Sequence, residues 1–166
     1  MRFRANAPKA ASAFCAAVSV VFFASTASAQ WHEQQVGKVG TFTILKISQG
    51  GKFHRCAASK GSGASMLRIA FTADRQHFMS VPGVDGSGKT PLRIRFDGKP
   101  PIQIVPNAAD KNRASVPLDY ATVDRFMAAK RLEVSLAGNT YTWDLSGQSM
   151  EAVLQAVSNC TSNASS

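Results

Sequence analysis

Groups that perform catalysis or bind metals are scarce in this sequence. Its 166 residues include three cysteines, three histidines and ten acidic residues, against nineteen lysines and arginines. His32, His54 and His77 are scattered, and none has a cysteine or a carboxylate at the spacing that metal ligands adopt. The sequence contains no G-x-S-x-G nucleophile motif. We therefore expect a protein that is not an enzyme and that uses neither a metal nor a cofactor, unless a histidine and carboxylates converge in a pocket.

Long apolar runs are absent except at the N-terminus. Three basic residues precede an apolar stretch over residues 10–24, and the tripeptide Ala27-Ser28-Ala29 follows as an A-x-A cleavage sequence. This is the pattern of a secretory signal peptide, and the stretch is shorter than the roughly 18 residues that a membrane-spanning helix needs. We predict a signal peptide over residues 1–29 and a single exported domain over residues 30–166. The domain is expected in the periplasm or secreted, without a transmembrane segment and as a monomer.

Two cysteines, Cys56 and Cys160, remain after the predicted cleavage. Exported proteins with a small, even number of cysteines most simply pair them, because the compartment is oxidising. We predict one disulfide that ties the C-terminal segment to an early strand.

Hydrophobic periodicity indicates a mainly β protein. Alternating or β-branched segments predict strands over residues 39–47, 52–57, 66–72, 77–81, 92–97, 102–105, 132–137 and 140–145. Apolar residues at helical spacing predict helices over 120–131 and 149–160, and the polar segment 106–117 is expected to be a surface loop. The predicted fold is an antiparallel β-sandwich or partly open barrel with one or two helices in the C-terminal half.

The stretch GVDGSGKT, residues 83–90, matches the phosphate-binding loop pattern G-x-x-x-x-G-K-[ST]. A phosphate-binding loop opens into a helix, whose N-terminal amides hold the phosphates. Here Pro91 and the alternating segment 92–96 follow, which predicts a strand, so we expect no bound nucleotide. The stretch is instead predicted to join two antiparallel strands, 77–81 and 92–96, as an exposed contact loop that includes Gly83, Asp85, Gly86, Gly88 and Lys89.

Basic residues at alternating strand positions are the one surface feature of the sequence that indicates a type of partner. The formal net charge is +9, and Arg68, Arg93 and Arg95 occupy alternating strand positions. If they lie on adjacent strands of one sheet, they form a patch for an anionic lipid, a polysaccharide or an acidic protein. The outward strand positions offer no aromatic residues beside them, so specific nucleic-acid binding is not expected. The alternative is an inhibitor of an enzyme such as lysozyme, acting through the loop at residues 83–90.

The layout of the chain resembles the invasion-associated locus B family, which comprises small exported proteins of alphaproteobacteria. The resemblance depends on Trp31 soon after the predicted cleavage site, on Cys56 after the first strands, and on the segment from Leu145-Ser146-Gly147 to Cys160. It implies a β-sandwich-like periplasmic or surface domain. The namesake is associated with host-cell invasion, and the resemblance supplies no catalytic residue to carry over to this chain.

Overall fold

The computed structural model describes residues 30–84, 88, 90–109 and 112–164, in which eleven strands and two α-helices are present. The predicted signal peptide, and with it the predicted domain boundary, lies outside the described residues. No helix in the described part is long and apolar enough to cross a membrane. In chain order the strands and helices are β1 Trp31–Val39, β2 Phe42–Gln49, β3 Lys52–Lys60, β4 Leu67–Thr72, β5 His77–Pro82, β6 Leu92–Phe96, β7 Ile102–Ile104, β8 Ala108–Ala109, β9 Arg113–Pro117, α1 Tyr120–Ala128, β10 Arg131–Leu136, β11 Asn139–Asp144 and α2 Met150–Ala164.

The strands form two open antiparallel sheets. The larger sheet has seven strands in the order β1-β2-β3-β4-β5-β9-β8, and the smaller has four in the order β11-β10-β6-β7. Successive hairpins build β1 to β5, as expected where short turns containing Gly40, Gly50 and Gly51 adopt positive φ. The mainly β, antiparallel fold class with helices in the C-terminal half is confirmed.

The main core lies on one face of the seven-stranded sheet. Strand β6 shows how alternation produces it, because Leu92, Ile94 and Phe96 are buried as predicted while Arg93 is exposed. Helix α2 packs against β2, β3 and β4 through an apolar face that includes Val157. The predicted disulfide joins Cys56 of β3 to Cys160 of α2, which confirms the pairing.

Helix α1 is shorter than predicted. It begins after Asp119, whose side chain accepts a hydrogen bond from the Thr122 N–H at 2.8 Å, and it ends at Ala128. Ala129 is already extended, and Arg131 pairs with Asp144 as the first residue of β10. Residues 129–131, the last three of the predicted helix, therefore lie outside it, and Arg131 begins a strand.

One strand was not predicted, and two other expectations are wrong. Residues 31–38 of β1 were assigned to no strand, because an edge strand exposed on both faces lacks the apolar alternation that marks a strand. The predicted surface loop 106–117 contains β8 and β9, and β9 buries Ala114 and Val116 in the core. Strands β5 and β6 are not neighbours, since β5 pairs with β4 and β9 while β6 pairs with β10 and β7. Residues 83–90 thus connect two sheets rather than two strands of a hairpin.

Candidate functional site

The outer face of the seven-stranded sheet, opposite the main core, carries a groove of about 1100 Å³ that we call the arginine groove. It runs from Trp31 on β1 to Asn107 and Ala108 at the β8 edge. Its charged lining residues include the three arginines after which it is named, and its remaining lining is made mainly of small or polar side chains. The arginines are Arg55 of β3, Arg68 of β4 and Arg113 of β9.

Strand alternation places these residues on one face. In β3, Cys56 and Ala58 point into the core, so Arg55, Ala57 and Ser59 point outwards. Register then aligns the outer positions of neighbouring strands: Ala57 is opposite Ala70, and Ser59 is opposite Arg68, which is opposite Ser80. Small residues in the middle of the sheet leave a depression, and the arginines extend over it.

Arg68 forms a bidentate ion pair with Glu33 of β1. Its Nη1 and Nη2 atoms donate to Oε1 and Oε2 of Glu33, each at 2.6 Å. Nε of Arg68 also lies 3.4 Å from Oγ of Ser59 and 3.1 Å from Sδ of Met66. Strands β2 and β3 lie between β1 and β4 in the sheet, so the Glu33–Arg68 ion pair extends across both of these strands.

A small apolar cluster lies on the outer face of these crossed strands. Ile47, Ala57 and Ala70 are buried and pack together, with Leu45 beside them. Ala57 has no exposed surface although it belongs to the outer face. Long side chains from neighbouring positions therefore cover it, and the Glu33–Arg68 pair crosses the strand that carries it.

Arg55 has a different environment from Arg68. Its guanidinium carbon lies 5.2 Å from the centre of the Trp31 ring, and its Nη1 lies 3.4 Å from Nδ1 of His54. No carboxylate among the described residues lies within ion-pair distance of it. Burial lowers the pKa of Arg55, the nearby Arg68 charge lowers it further, and Glu33 opposes both effects. The negative charge of Glu33 therefore acts on both Arg55 and Arg68.

Arg113 is held in place by backbone and hydroxyl oxygens. Its Nη1 donates to the Met66 carbonyl at 2.5 Å, and its Nη2 and Nε donate to the carbonyl and hydroxyl of Ser80 at 2.6 and 2.9 Å. These bonds join β9 to β5 and to the residue that precedes β4. Arg113 therefore contributes positive charge to the groove and also fixes its wall.

One histidine and one carboxylate also line the groove. His54 has its pKa lowered by burial and by the Arg55 charge, and Asp74 partly opposes this effect. Asp74 accepts a hydrogen bond from the Thr72 hydroxyl, and the structure shows no hydrogen bond between His54 and Asp74. Within residues 30–84, 88, 90–109 and 112–164, no three His, Cys, Asp or Glu side chains are grouped as metal ligands would be.

The predicted basic patch is not one surface. Arg68 lies in the seven-stranded sheet, whereas Arg93 and Arg95 lie on β6 of the four-stranded sheet. The condition for one patch, adjacent strands of a single sheet, is not met, because β4 and β6 belong to different sheets despite their similar alternation. Arg95 pairs with Glu133 at 3.1 Å, and Arg93 is exposed. Anion binding by Arg93 and Arg95 stays a prediction.

The predicted contact loop is described only in part. Asp85, Gly86 and Lys89 lie outside the described residues, while the Gly83 N–H donates to the Asn112 carbonyl at 3.0 Å. Gly88 is exposed. The segment that follows the motif is strand β6 rather than a helix, which confirms the predicted strand. A contact role for this loop stays a prediction.

Sequence reasoning missed Trp31, Arg55 and Arg113 as groove residues and Glu33 as the ion-pair partner of Arg68. Arg55 was placed in a strand, and Cys56 beside it pointed inwards, so its outward direction could have been inferred. The alternation of Arg113-Ala-Ser-Val116 also signalled a strand, although the polar surroundings concealed it. No pattern in the sequence indicated that β9 would pair with β5 or that Glu33 would reach Arg68.

Comparison with protein-family models and with curated proteins finds no match. Among solved structures, the chain is similar to the crystal structure of invasion associated protein B from Bartonella henselae. The two chains share 16% sequence identity with a TM-score of 0.49, over 76% of this chain and 95% of the other. The resemblance drawn from the sequence and the match found by structure are to the same kind of protein.

Proposed function

We propose that this chain is an exported, non-catalytic binding protein that holds an anionic partner in the arginine groove. The observation that supports this most directly is the pair Arg55 and Arg68, two guanidiniums on the outer face that share one carboxylate, Glu33. Surplus positive charge in a concavity with partly apolar walls concentrates anions there, because such walls focus the field.

The shape of the groove favours a narrow partner. The Arg68 side chain is only 19% exposed, and Arg55 is flanked by Trp31 and His54. A flat bilayer surface reaches recessed guanidiniums poorly, whereas a single extended chain can lie along the groove. The polar side chains of Ser80, Ser115 and Asn107 in the same lining offer hydrogen bonds to such a chain.

Two features support an exported location. The Cys56–Cys160 disulfide is the kind of bond that persists in oxidising compartments and is rare in the cytosol. The N-terminal segment has the basic, apolar and A-x-A pattern of a signal peptide. Residues 1–29 carry three of the nineteen basic residues and no acidic residue, so the exported protein would keep a net charge of 16 − 10, or +6, which would also draw it towards anionic envelope material.

Calorimetric titration of the purified protein with polymers of defined charge tests the proposal. Polygalacturonate and dextran sulfate are the anionic polymers, and dextran is the neutral one. We expect binding of at least one anionic polymer that weakens with added salt, and no binding of dextran.

The variant Arg55→Ala should weaken that binding about tenfold or more, since a hydrogen bond to a charged group contributes roughly 1.5–3 kcal/mol. Arg93→Ala is the matched control, because it removes the same charge from the other sheet. Equal losses from the two variants, or failure of both anionic polymers to bind, would show that the groove is not the binding site.

A further inference from the structure

We propose that Arg68 is a carboxylate-binding site that Glu33 occupies in the free protein, and that an acidic polysaccharide built from uronate sugars displaces Glu33 to bind there. This inference depends on the proposed function, because it assigns the ligand class and the resident competitor of the same groove. Four observations support it.

The first observation is the geometry of the Glu33–Arg68 contact. Each carboxylate oxygen accepts a hydrogen bond from a separate guanidinium nitrogen at 2.6 Å, which is the bidentate arrangement that a planar carboxylate makes with arginine. Glu33 thereby shows how a ligand carboxylate would sit on Arg68.

The second observation is an asymmetry between the partners. Arg68 is held by Ser59 and Met66 through Nε, and its side chain is 19% exposed. The Glu33 side chain is 40% exposed, belongs to edge strand β1, and makes no hydrogen bond to another described residue. When the pair opens, the carboxylate can therefore turn into solvent while the guanidinium stays in place.

The third observation is the balance of charge. Arg55 lies close enough to Arg68 and Glu33 for both to affect its pKa, in opposite directions. Arg55 and Arg68 both face Glu33, and Asp74, the carboxylate of the lining, is not among the charges that shift the Arg55 pKa, so a surplus of one positive charge remains around Glu33. A ligand carboxylate on Arg68 neutralises that surplus, even if the released Glu33 remains nearby.

The fourth observation is the lining beneath and beside the pair. The apolar outer-face residues Ala57 and Ala70 line the groove together with Trp31, which is 47% exposed. A sugar ring has apolar faces for such a surface and hydroxyl groups for Ser80 and Ser115. A fatty acid would require a deeper apolar channel than this open groove provides.

Calorimetric titration with trigalacturonate measures the effect of the competitor. Glu33→Gln removes the competing charge and should lower Kd about fivefold, as expected when an ion pair of ordinary surface strength keeps most of the site closed. Glu133→Gln is the matched control, because it removes a carboxylate from the Arg95 ion pair in the other sheet and changes net charge equally. It should leave Kd within twofold.

A second pair of variants tests the site itself. Arg68→Met should raise Kd tenfold or more, whereas Arg125→Met, which removes the same charge from an exposed position of α1, should leave it nearly unchanged. Glu33→Asp keeps the negative charge but shortens its reach, so it should also tighten binding, and it remains informative if Glu33→Gln unfolds. Thermal unfolding of each variant confirms that the fold is intact.

The outcomes separate this inference from the proposed function. Binding of dextran sulfate without binding of trigalacturonate would overturn the uronate assignment and leave the anionic groove standing. Tighter binding of a glutamate-rich peptide than of trigalacturonate would overturn it in favour of an acidic protein. If folded Glu33→Gln and Glu33→Asp bind trigalacturonate no more tightly than the unmodified protein, Glu33 only braces the sheet and the displacement mechanism is wrong.

Discussion

Reduction of the disulfide should remove a large share of the stability of this protein. Cys56 and Cys160 are 104 positions apart in the sequence, so the bond closes a loop of about 100 residues. In the chain-entropy treatment, such a loop stabilises the folded state by about 4.7 kcal/mol, because the cross-linked unfolded chain has fewer conformations. The total stability of a domain of this size is about 5–15 kcal/mol. The reduced protein is therefore expected to be marginally stable.

Urea unfolding of the same purified protein, with and without a thiol reductant, measures this difference. Reduction leaves every core side chain in place, so no cavity contributes to the comparison. With a slope of about 2 kcal/mol per molar urea, the midpoint should fall by about 2 M. The Cys56→Ala/Cys160→Ala double variant should unfold near the reduced protein and should not respond to reductant.

The chain-entropy reasoning is refuted, at the slope stated above, if the midpoint moves by less than about 0.5 M while thiol alkylation and mass analysis show complete reduction. That result would mean that the reduced unfolded chain is already compact, or that the bond strains the folded state. The slope of the transition distinguishes these cases, because a compact unfolded chain exposes less surface and gives the reduced protein a smaller slope, whereas strain in the bond does not change that slope.

Three further perturbations have expected outcomes in the same unfolding assay. Gly40→Ala should lower the free energy of unfolding by about 2–3 kcal/mol, because Gly40 has φ +57 and an added Cβ would lie 2.8 Å from the Gln148 Cβ. Gly138→Ala is the control: Gly138 has φ +83 but nothing lies within 4 Å of an added Cβ, so this variant should lower it by only about 1 kcal/mol. Asp119→Ala should cost about 1 kcal/mol through loss of the α1 cap. The cap hydrogen bonds lower the Asp119 pKa, so its contribution should be present above the ordinary value of 3.8 and disappear as pH falls through the lowered value. Burial lowers the pKa of His77, so below pH 6.5 the unfolded chain binds more protons than the folded protein. The free energy of unfolding should therefore fall as pH decreases from 6.5, and it should fall less in His77→Gln.

The elements that could be predicted from the sequence are those whose own periodicity matches their burial. Strand β6 alternates strictly because one face is buried and the other is exposed, and α2 repeats its apolar residues at helical spacing because one side packs on β3. Edge strand β1 and the short β9 were missed, because solvent on both faces of β1 and the polar flanks of β9 remove that signal. Local pattern determines local structure well in this chain.

The groove could not be predicted because it depends on register and strand order, which are non-local. Arg68 and Arg93 have similar surroundings in the sequence, yet β4 and β6 join different sheets. Arg68 meets Glu33 only because three consecutive hairpins bring β1 to within reach of β4. Each hairpin turn can be recognised from its glycines, but the offset of each pairing, including the bulge at Ile47/Ser48, is decided by packing of the completed sheet.

The two faces of the seven-stranded sheet therefore have separable roles. The inner face is covered by α2 and the smaller sheet and is fastened by the disulfide, so it carries most of the apolar burial. Among the described residues, the buried apolar cluster of the outer face is the small one around Ala57, so this face can carry recessed charge without exposing the main core to solvent. Arg55 and Arg68 project from the same strands, β3 and β4, that α2 holds from behind. A rigid inner layer thus fixes the spacing of the two guanidiniums, and a ligand that displaces Glu33 would meet them already positioned, with little ordering cost on binding.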